Sequence, residues 1–407
     1  MSSANTIPRE RLRAIAGYLE GQRAAMIHLL RGLVELESPS TEKAAVDRLS
    51  KLVSNEWTKR ATEVRLLRRP NRGDLVRAVL PATGQTSESC SPNKSRAPNS
   101  PIPGNQILVL GHLDTVYPMG TLARMPFRVT RDRAFGPGVY DMKAGVVMAL
   151  FAVDALRRAG PSPNKSIVFL WTTDEEIGSE ASRQEIEREA ARSAAVLVLE
   201  SSLGPQGLLK TERKGMGEVE LHITGKSSHA GVNPGAGVNA VHELCLQLAQ
   251  MAHWSDPAHG LTVAPTVISG GGFSNVIPDS ATGHVDIRFS RAKDAQILAA
   301  RLRKLTPILK GAKLEVRGGI NRPPLIRDAG VSALFRHARE IGRKLDLDLR
   351  EGSTGGGSDG NFTAALGVPT LDGLGAIGEG AHTHGESIVL RCLPERAALL
   401  AGLLATL

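Results

Sequence analysis

Five side chains in this sequence combine the types and placement needed to hold metal ions: His112, Asp141, Glu176, Glu200 and one histidine of the pair His382 and His384. Each of the first four follows an apolar run or opens one. Ile107 to Leu110 ends in Gly111-His112-Leu113-Asp114, and a Gly-Pro-Gly turn further on delivers Asp141 to the start of an apolar helix. Ile167 to Trp171 ends in Asp174-Glu175-Glu176, and Val196 to Leu199 ends in Glu200. In an open α/β sheet, chemistry collects at the carboxyl ends of the strands. Two imidazoles and three carboxylates, with no thiolate, form a mixture suited to Zn²⁺ or its borderline neighbours. Five ligands are too many for one catalytic zinc, which takes three from the protein, but they suit two ions if a carboxylate bridges. Asp141, between the others in sequence and short enough to be held rigidly, is the natural bridge.

Two further acids complete the pattern. Asp114 lies two residues after His112, on the same side of an extended chain, where its carboxylate can accept the ring N–H of a ligating histidine. Adjacent Glu175 and Glu176 point differently, so one can ligate while the other serves as a general base toward water.

These residues need a scaffold of strands and covering helices, and the pattern supplies one. Helical periodicity runs from 8 to 36 and from 41 to 57, weak strands follow at 62–67 and 75–80, and 81–106, rich in Ser, Pro, Asn and Gly, reads as a mobile surface loop. Strand and helix then alternate to about residue 200, with a helix expected over 182–194, which predicts an α/β domain with a mainly parallel central sheet. From about Lys210 the pattern changes to alternating strands with two helices, ending in a short strand at 313–317. That predicts a smaller α+β, ferredoxin-like domain inserted over 213–325 between two parts of the larger one, 1–212 and 326–407. At 407 residues the chain exceeds what one core normally serves, so two domains are the expectation.

Composition narrows the class. A net charge of +9 invites a polyanion partner, but Lys and Arg are dispersed among acids and aromatics make up only 3%, so stacking platforms are scarce and nucleic acid is not expected. Three cysteines (Cys90, Cys245, Cys392) without a CxxC give neither a disulfide framework nor a thiolate metal site. A charged N-terminal stretch and the absence of any long apolar run make the cytoplasm the expected address, with no membrane contact.

The ordered set H-L-D-T-V, G-P-G-V-Y-D-M-K-A-G, T-D-E-E-I-G-S, a strand ending in Glu, S-S-H-A-G, S-N-V-I-P, T-G-G-G-S-D and G-A-H with a nearby Glu resembles the di-zinc exopeptidases. This family includes glutamate carboxypeptidase, aminoacylase and succinyl-diaminopimelate desuccinylase. The run HLDTVYPMGTL…PFRV…AFGPGVYDMK is most similar to the glutamate carboxypeptidase branch. The resemblance implies that His112, Asp141 and Glu200 hold one zinc, and that Asp141, Glu176 and the late histidine hold the other. Cobalt or manganese would suit the same ligands. In the family the last ligand follows Gly-Ala and precedes an acid by four positions, so the resemblance implies His382, with Glu386, and His384 as the alternative; Gly385-Glu386-Ser387 departs from the family's usual Asp/Glu-Glu-Tyr ending. Glu175 matches the catalytic acid/base and Asp114 the orienting carboxylate.

The resemblance further implies that His229 reaches the active site of the partner subunit of a dimer and stabilises an oxyanion, and that Asn275 contacts substrate. Arg288 and Arg322 are candidate clamps for a free carboxylate, which guanidinium binds bidentately. Arg288 in HVDIRF can equally pair with a neighbouring acid. Backbone N–H groups around Gly356 and Gly357 can bind a carboxylate, or the stretch can be a simple turn. The activity expected is hydrolysis of an amide next to a free carboxylate, releasing C-terminal glutamate or a similar amino acid. N-deacylation or desuccinylation is the alternative.

Overall fold

A computed structural model of the chain describes residues 6–82 and 104–407. Most of the expected 81–106 loop, with Cys90, lies outside the described residues. The described residues form two compact units: 6–82 and 104–212 with 327–353 and 358–407, and 213–326 with 354–357.

A six-stranded sheet organises the first unit, in the order Glu63–Leu67, Leu75–Leu80, Ser166–Thr172, Gln106–His112, Ser193–Val198, Thr370–Leu371. The first two pairings are antiparallel and the remaining three parallel, so the sheet is mixed and mainly parallel. Its central strands are continuous apolar runs because both faces are covered. Ile107 and Val109 join the larger core cluster with Ile167, Phe169 and Trp171, while Leu108, Leu110, Val168 and Leu170 pack on the opposite face with Ile186, Val196 and Phe362. The helices Ala144–Ala159 and Cys392–Thr406 are apolar nearly all round, and both are buried nearly all round.

Two glycines let elements approach the site closely. A Cβ on Gly111 would stand 2.4 Å from the methyl carbon of Met142 and 2.8 Å from the ring of fully buried Trp171, so glycine leaves room for the Asp141 turn against the strand that ends in His112. A Cβ on Gly145 would stand 2.5 Å from the carbonyl oxygen of Leu199, the residue before Glu200. A small antiparallel sheet orders Gly378–Glu379, Ser387–Val389, Arg133–Phe135 and Arg128–Val129. It feeds two ligand-bearing turns: Arg133–Phe135 leads into the turn carrying Asp141, and the hairpin Gly378–Val389 carries His382.

The second unit is a four-stranded antiparallel sheet in the order Thr262–Gly270, Ser280–Phe289, Gly215–Thr224, Lys313–Arg322. Helices Ala240–Ala252 and Ala292–Arg303 cover one face, where Val219, Leu221, Ile223, Val285, Ile287 and Phe289 are buried. With its β-α-β-β-α-β order this is a ferredoxin-like unit.

Local boundaries differ from expectation in two informative places. The helix expected over 182–194 stops at Ala190, because Ser193 already belongs to the next strand, paired with Gln106. The last strand of the second unit does not end at Arg317 but runs to Arg322; Gly318 and Gly319, both at positive φ, with a register shift near Ile320, break the alternation that marks a strand in sequence. Among the described residues, no helix is long and apolar enough to cross a membrane.

Candidate active site

The strand Gln106–His112 ends with His112 almost fully buried, and its ring is fixed from both sides. Nδ1 donates to the carbonyl oxygen of Asp114 at 3.0 Å, which leaves Nε2 as the lone-pair nitrogen. That nitrogen stands 3.3 Å from Asp141 Oδ1 and 3.3 Å from Glu200 Oε1. His382 Nε2 lies 3.4 Å from the other Asp141 oxygen, Oδ2, and 3.2 Å from Glu176 Oε2. Asp141 therefore turns one oxygen toward each histidine. The ligand atoms of His112, Asp141 and Glu200 lie within 4.8 Å of one another, as do those of Asp141, Glu176 and His382. His384 is exposed and belongs to neither group.

Asp114 differs from expectation in how it acts. Its carboxylate lies 3.5 Å from His112 Nδ1, farther than its own backbone carbonyl at 3.0 Å. The carboxylate instead accepts the Ser40 hydroxyl at 2.6 Å and the backbone N–H groups of Glu175 and Glu176 at 3.3 and 3.2 Å. It thus fixes the turn Glu175–Ile177, on which Glu175 is partly buried beside Glu176. Behind that turn, buried Asp174 accepts the Ala181 N–H at 2.7 Å and the Ser182 hydroxyl. Asp359 accepts the hydroxyls of Thr172, at 2.8 Å, and Ser179.

The electrostatics of the first unit's cluster favour a cation. Burial alone would push Asp141 up, but the imidazoles of His112 and His382 hold it below the usual carboxylate range, with help from Lys210. Hydrogen bonds to Asp141 and Glu176 push His382 up to about 10. Burial raises Glu176 to about 7. Each imidazole is thus held between two carboxylates that only a proton or a metal ion can reconcile. Nitrogen and oxygen ligands about 2.0–2.2 Å from a tetrahedral ion stand roughly 3.4 Å apart, which matches the N···O separations in both groups. The residues fit a pair of zinc-like ions sharing Asp141.

The other candidates lie in the second unit. His229, exposed in the short strand Ser228–His229, accepts the backbone N–H groups of Gly231 and Val232 on Nδ1, each at 3.1 Å. With Nδ1 accepting, a neutral ring carries its proton on Nε2. Asn275 is adjacent, its carbonyl accepting the Ala230 N–H at 2.8 Å. Arg288 makes a bidentate pair with Asp286, two residues earlier on the same strand face, at 2.7–3.0 Å. Arg322 is buried, and its side chain runs under Gly357, where a Cβ would stand 3.0 Å from Arg322 Cδ and 2.7 Å from Met216 Sδ. The glycine stretch turns its carbonyls toward guanidinium groups: Arg213 Nη1 donates to Gly356 and Gly357 at 3.0 and 2.9 Å. The Gly356 N–H points back to Thr354 Oγ1 at 3.4 Å.

Ser40, Tyr117 and Lys210 do not stand out in the sequence as site residues. Each is a single polar residue in a segment without periodicity. Only Tyr117, in HLDTVY, stands near a motif that could have drawn attention.

The model of peptidase family M20/M25/M40 matches residues 108–406. The chain belongs to that family. Carboxypeptidase G2 from Pseudomonas sp. (strain RS-16) is 33% identical over 308 residues, 74% of each chain. Succinyl-diaminopimelate desuccinylase from Dechloromonas aromatica (strain RCB) is 29% identical over 310 residues, 71% of this chain and 80% of that one. Among solved structures, an M20 family metallo-carboxypeptidase from Sulfolobus solfataricus superposes with a TM-score of 0.72 at 15% identity, covering 94% of this chain and 98% of that one. A dinuclear metal binding peptidase of the M20 family from Bacillus subtilis gives 0.65 at 14% identity, covering 95% and 98%. At those identities the structural likeness speaks for the fold, which these M20/M25/M40 proteins share. Membership makes the chain a metallopeptidase-family hydrolase, and the two ligand groups are where its metal binding is to be sought.

Proposed function

We propose that the chain is a two-metal carboxypeptidase that hydrolyses an amide next to a free carboxylate and releases glutamate or a similar amino acid. The observation that carries the two-metal part is Asp141, whose oxygens face His112 and His382 separately, with Glu200 and Glu176 closing the two groups. Zinc is the ion we assign; cobalt and manganese suit the same donors. Two ions held there supply Lewis acidity to the reacting carbonyl and to water.

The chain's own residues do the rest. Glu175, on a turn fixed by Asp114, takes the proton of the attacking water and passes it to the leaving nitrogen. His229, with its proton on Nε2, donates to the oxyanion formed at the carbonyl. Arg322 and Arg288 bind the free carboxylate of the released amino acid, and Asn275 contacts the substrate beside His229. Both guanidinium groups already have partners, Arg288 in Asp286 and Arg322 in Asn321 Oδ1 at 3.2 Å.

His229 serves a neighbouring copy in this reading, so the enzyme is a homodimer through the second unit. In support, the strand Thr262–Gly270 is an edge of its sheet, with Val267 and Ile268 more than half exposed. Phe273 and Val232 are 78% and 79% exposed nearby, an apolar stretch of the kind that marks an interface. Mixing Glu175→Gln with His229→Ala chains tests this directly. Random exchange between two inactive proteins should recover about a quarter of wild-type activity, since one site of each mixed dimer is intact. A mixture that stays inactive, or light scattering that shows a monomer, refutes the shared site. The same reading keeps the protein in the cytoplasm, in line with the unpaired thiols Cys245 and Cys392.

N-deacylation or desuccinylation is the second reading, favoured by the desuccinylase relative. Kinetics on a panel of N-acyl-glutamates, dipeptides with C-terminal glutamate and N-succinyl amines separate the two. Preference for C-terminal glutamate across varied acyl groups supports the carboxypeptidase; preference for one acyl group across varied amines supports the deacylase.

A further inference from the structure

One carboxylate in the first unit is fully buried and stands beside the ligands without joining either group. Glu386 lies four residues after His382, and four donors converge on it. Its Oε1 accepts the backbone N–H groups of Tyr140 at 2.8 Å and Asp141 at 2.9 Å. Its Oε2 accepts the Gly138 N–H at 2.9 Å and the Tyr117 hydroxyl at 2.6 Å. The same hydroxyl lies 2.9 Å from the carbonyl oxygen of Thr383, the neighbour of His382. Three segments therefore meet at one point: the loop after His112 through Tyr117, the turn bearing Asp141 through its backbone, and the hairpin bearing His382 through Glu386 and Thr383.

Both segments so joined need support. The Asp141 turn is irregular, with non-helical dihedrals at Asp141 and Met142, and the N–H groups of Gly138, Tyr140 and Asp141 at its start find their acceptor in the Glu386 carboxylate. His382 sits at the hairpin tip with φ of 63°, a left-handed conformation uncommon for histidine. By contrast His112 is fixed by its strand and its own Nδ1 bond, and Glu200 directly follows a strand and its flanking leucine.

We infer that Glu386 and Tyr117 form a positioning pair that sets Asp141 and His382 in place before a cation arrives. The Asp141–Glu176–His382 group depends on the pair more than the His112–Asp141–Glu200 group does. Neither residue touches substrate. The inference rests on the reading of the two groups as metal sites, and its test distinguishes the two claims.

The test is a stepwise titration of the metal-free chain with Co²⁺, followed by calorimetry and visible absorption. Wild type should take two equivalents. Tyr117→Phe removes one hydroxyl without changing shape and should fold normally. It should weaken one binding step by about 10–100-fold, the range seen when residues supporting metal ligands are changed, and alter the cobalt spectrum of that step alone. Glu386→Gln should impair the same step more, since an amide nitrogen would face a backbone N–H; if that variant does not fold, Tyr117→Phe carries the test. Two wild-type-like steps with an unchanged spectrum in Tyr117→Phe would overturn the positioning role while leaving the ligand assignment standing. Fewer than two equivalents on wild type would remove the metal reading, and this inference with it.

Discussion

Asp141→Ala is expected to abolish turnover by at least about 10⁴-fold and to cost the protein both metal equivalents, the largest effect of any single substitution considered. The reason is geometric. Asp141 Oδ1 belongs to the group with His112 and Glu200, and Oδ2 to the group with Glu176 and His382, so one truncation removes a ligand from each. Without it, two histidines and two glutamates remain as separate pairs, each short of the three ligands a catalytic ion needs. Glu200→Ala and His382→Ala each touch one group and should each lose one equivalent. Metal analysis of the purified variants, with circular dichroism to show that the fold is kept, checks the prediction. An Asp141→Ala protein that still binds two ions would show that the carboxylate does not bridge.

Glu175→Gln is expected to lower kcat by about 10²–10⁴-fold while both equivalents stay bound. Glu175 lies in neither ligand group, and its backbone is fixed by the Asp114 carboxylate rather than by a ligand. Glutamine keeps the shape and loses only the ability to take a proton, so the substrate KM should change little. The contrast with Glu176→Gln decides the roles of two adjacent acids: Glu176→Gln should lose metal, Glu175→Gln should not. The reverse pattern would exchange the two assignments.

The positions of the two acids were legible from sequence because the scaffold obeys a simple rule. Strands buried on both faces read as unbroken apolar runs, and Ile107–Leu110, Ile167–Trp171 and Val196–Leu199 each stop where a potential ligand stands. The need for a bridge among five ligands singled out Asp141 before its two oxygens were located. The choice between His382 and His384 was not open to residue reading alone, since both lie in one polar loop; the family resemblance favoured His382, which the structure brings to Asp141 and Glu176.

What escaped the sequence follows from long-range contacts and irregular backbone. The role of Asp114 in holding the Glu175 turn depends on hydrogen bonds between residues 61 and 62 positions apart in the chain. The strand that carries Arg322 was cut short at Gly318-Gly319, which hid the fact that Arg322 sits at a strand end beneath Gly357. Ser40 reaches the site from a distant segment and Tyr117 from the loop after His112, and no periodicity marks either. For Arg288 the sequence leaves two readings open, a carboxylate clamp or a pair with a neighbouring acid, and the structure shows it paired with Asp286.

The measurement that tests the central claim most directly is the rate at which metal-loaded wild type cleaves the acyl amide of an N-acyl-glutamate, releasing glutamate, and of the same compound with its α-carboxylate converted to a carboxamide, releasing isoglutamine. The account requires rapid release from the free acid with two equivalents of metal bound, and release slowed by two or more orders of magnitude when the carboxylate that Arg322 and Arg288 would bind is masked. Equal hydrolysis of both compounds, or full activity with no metal bound, would contradict it.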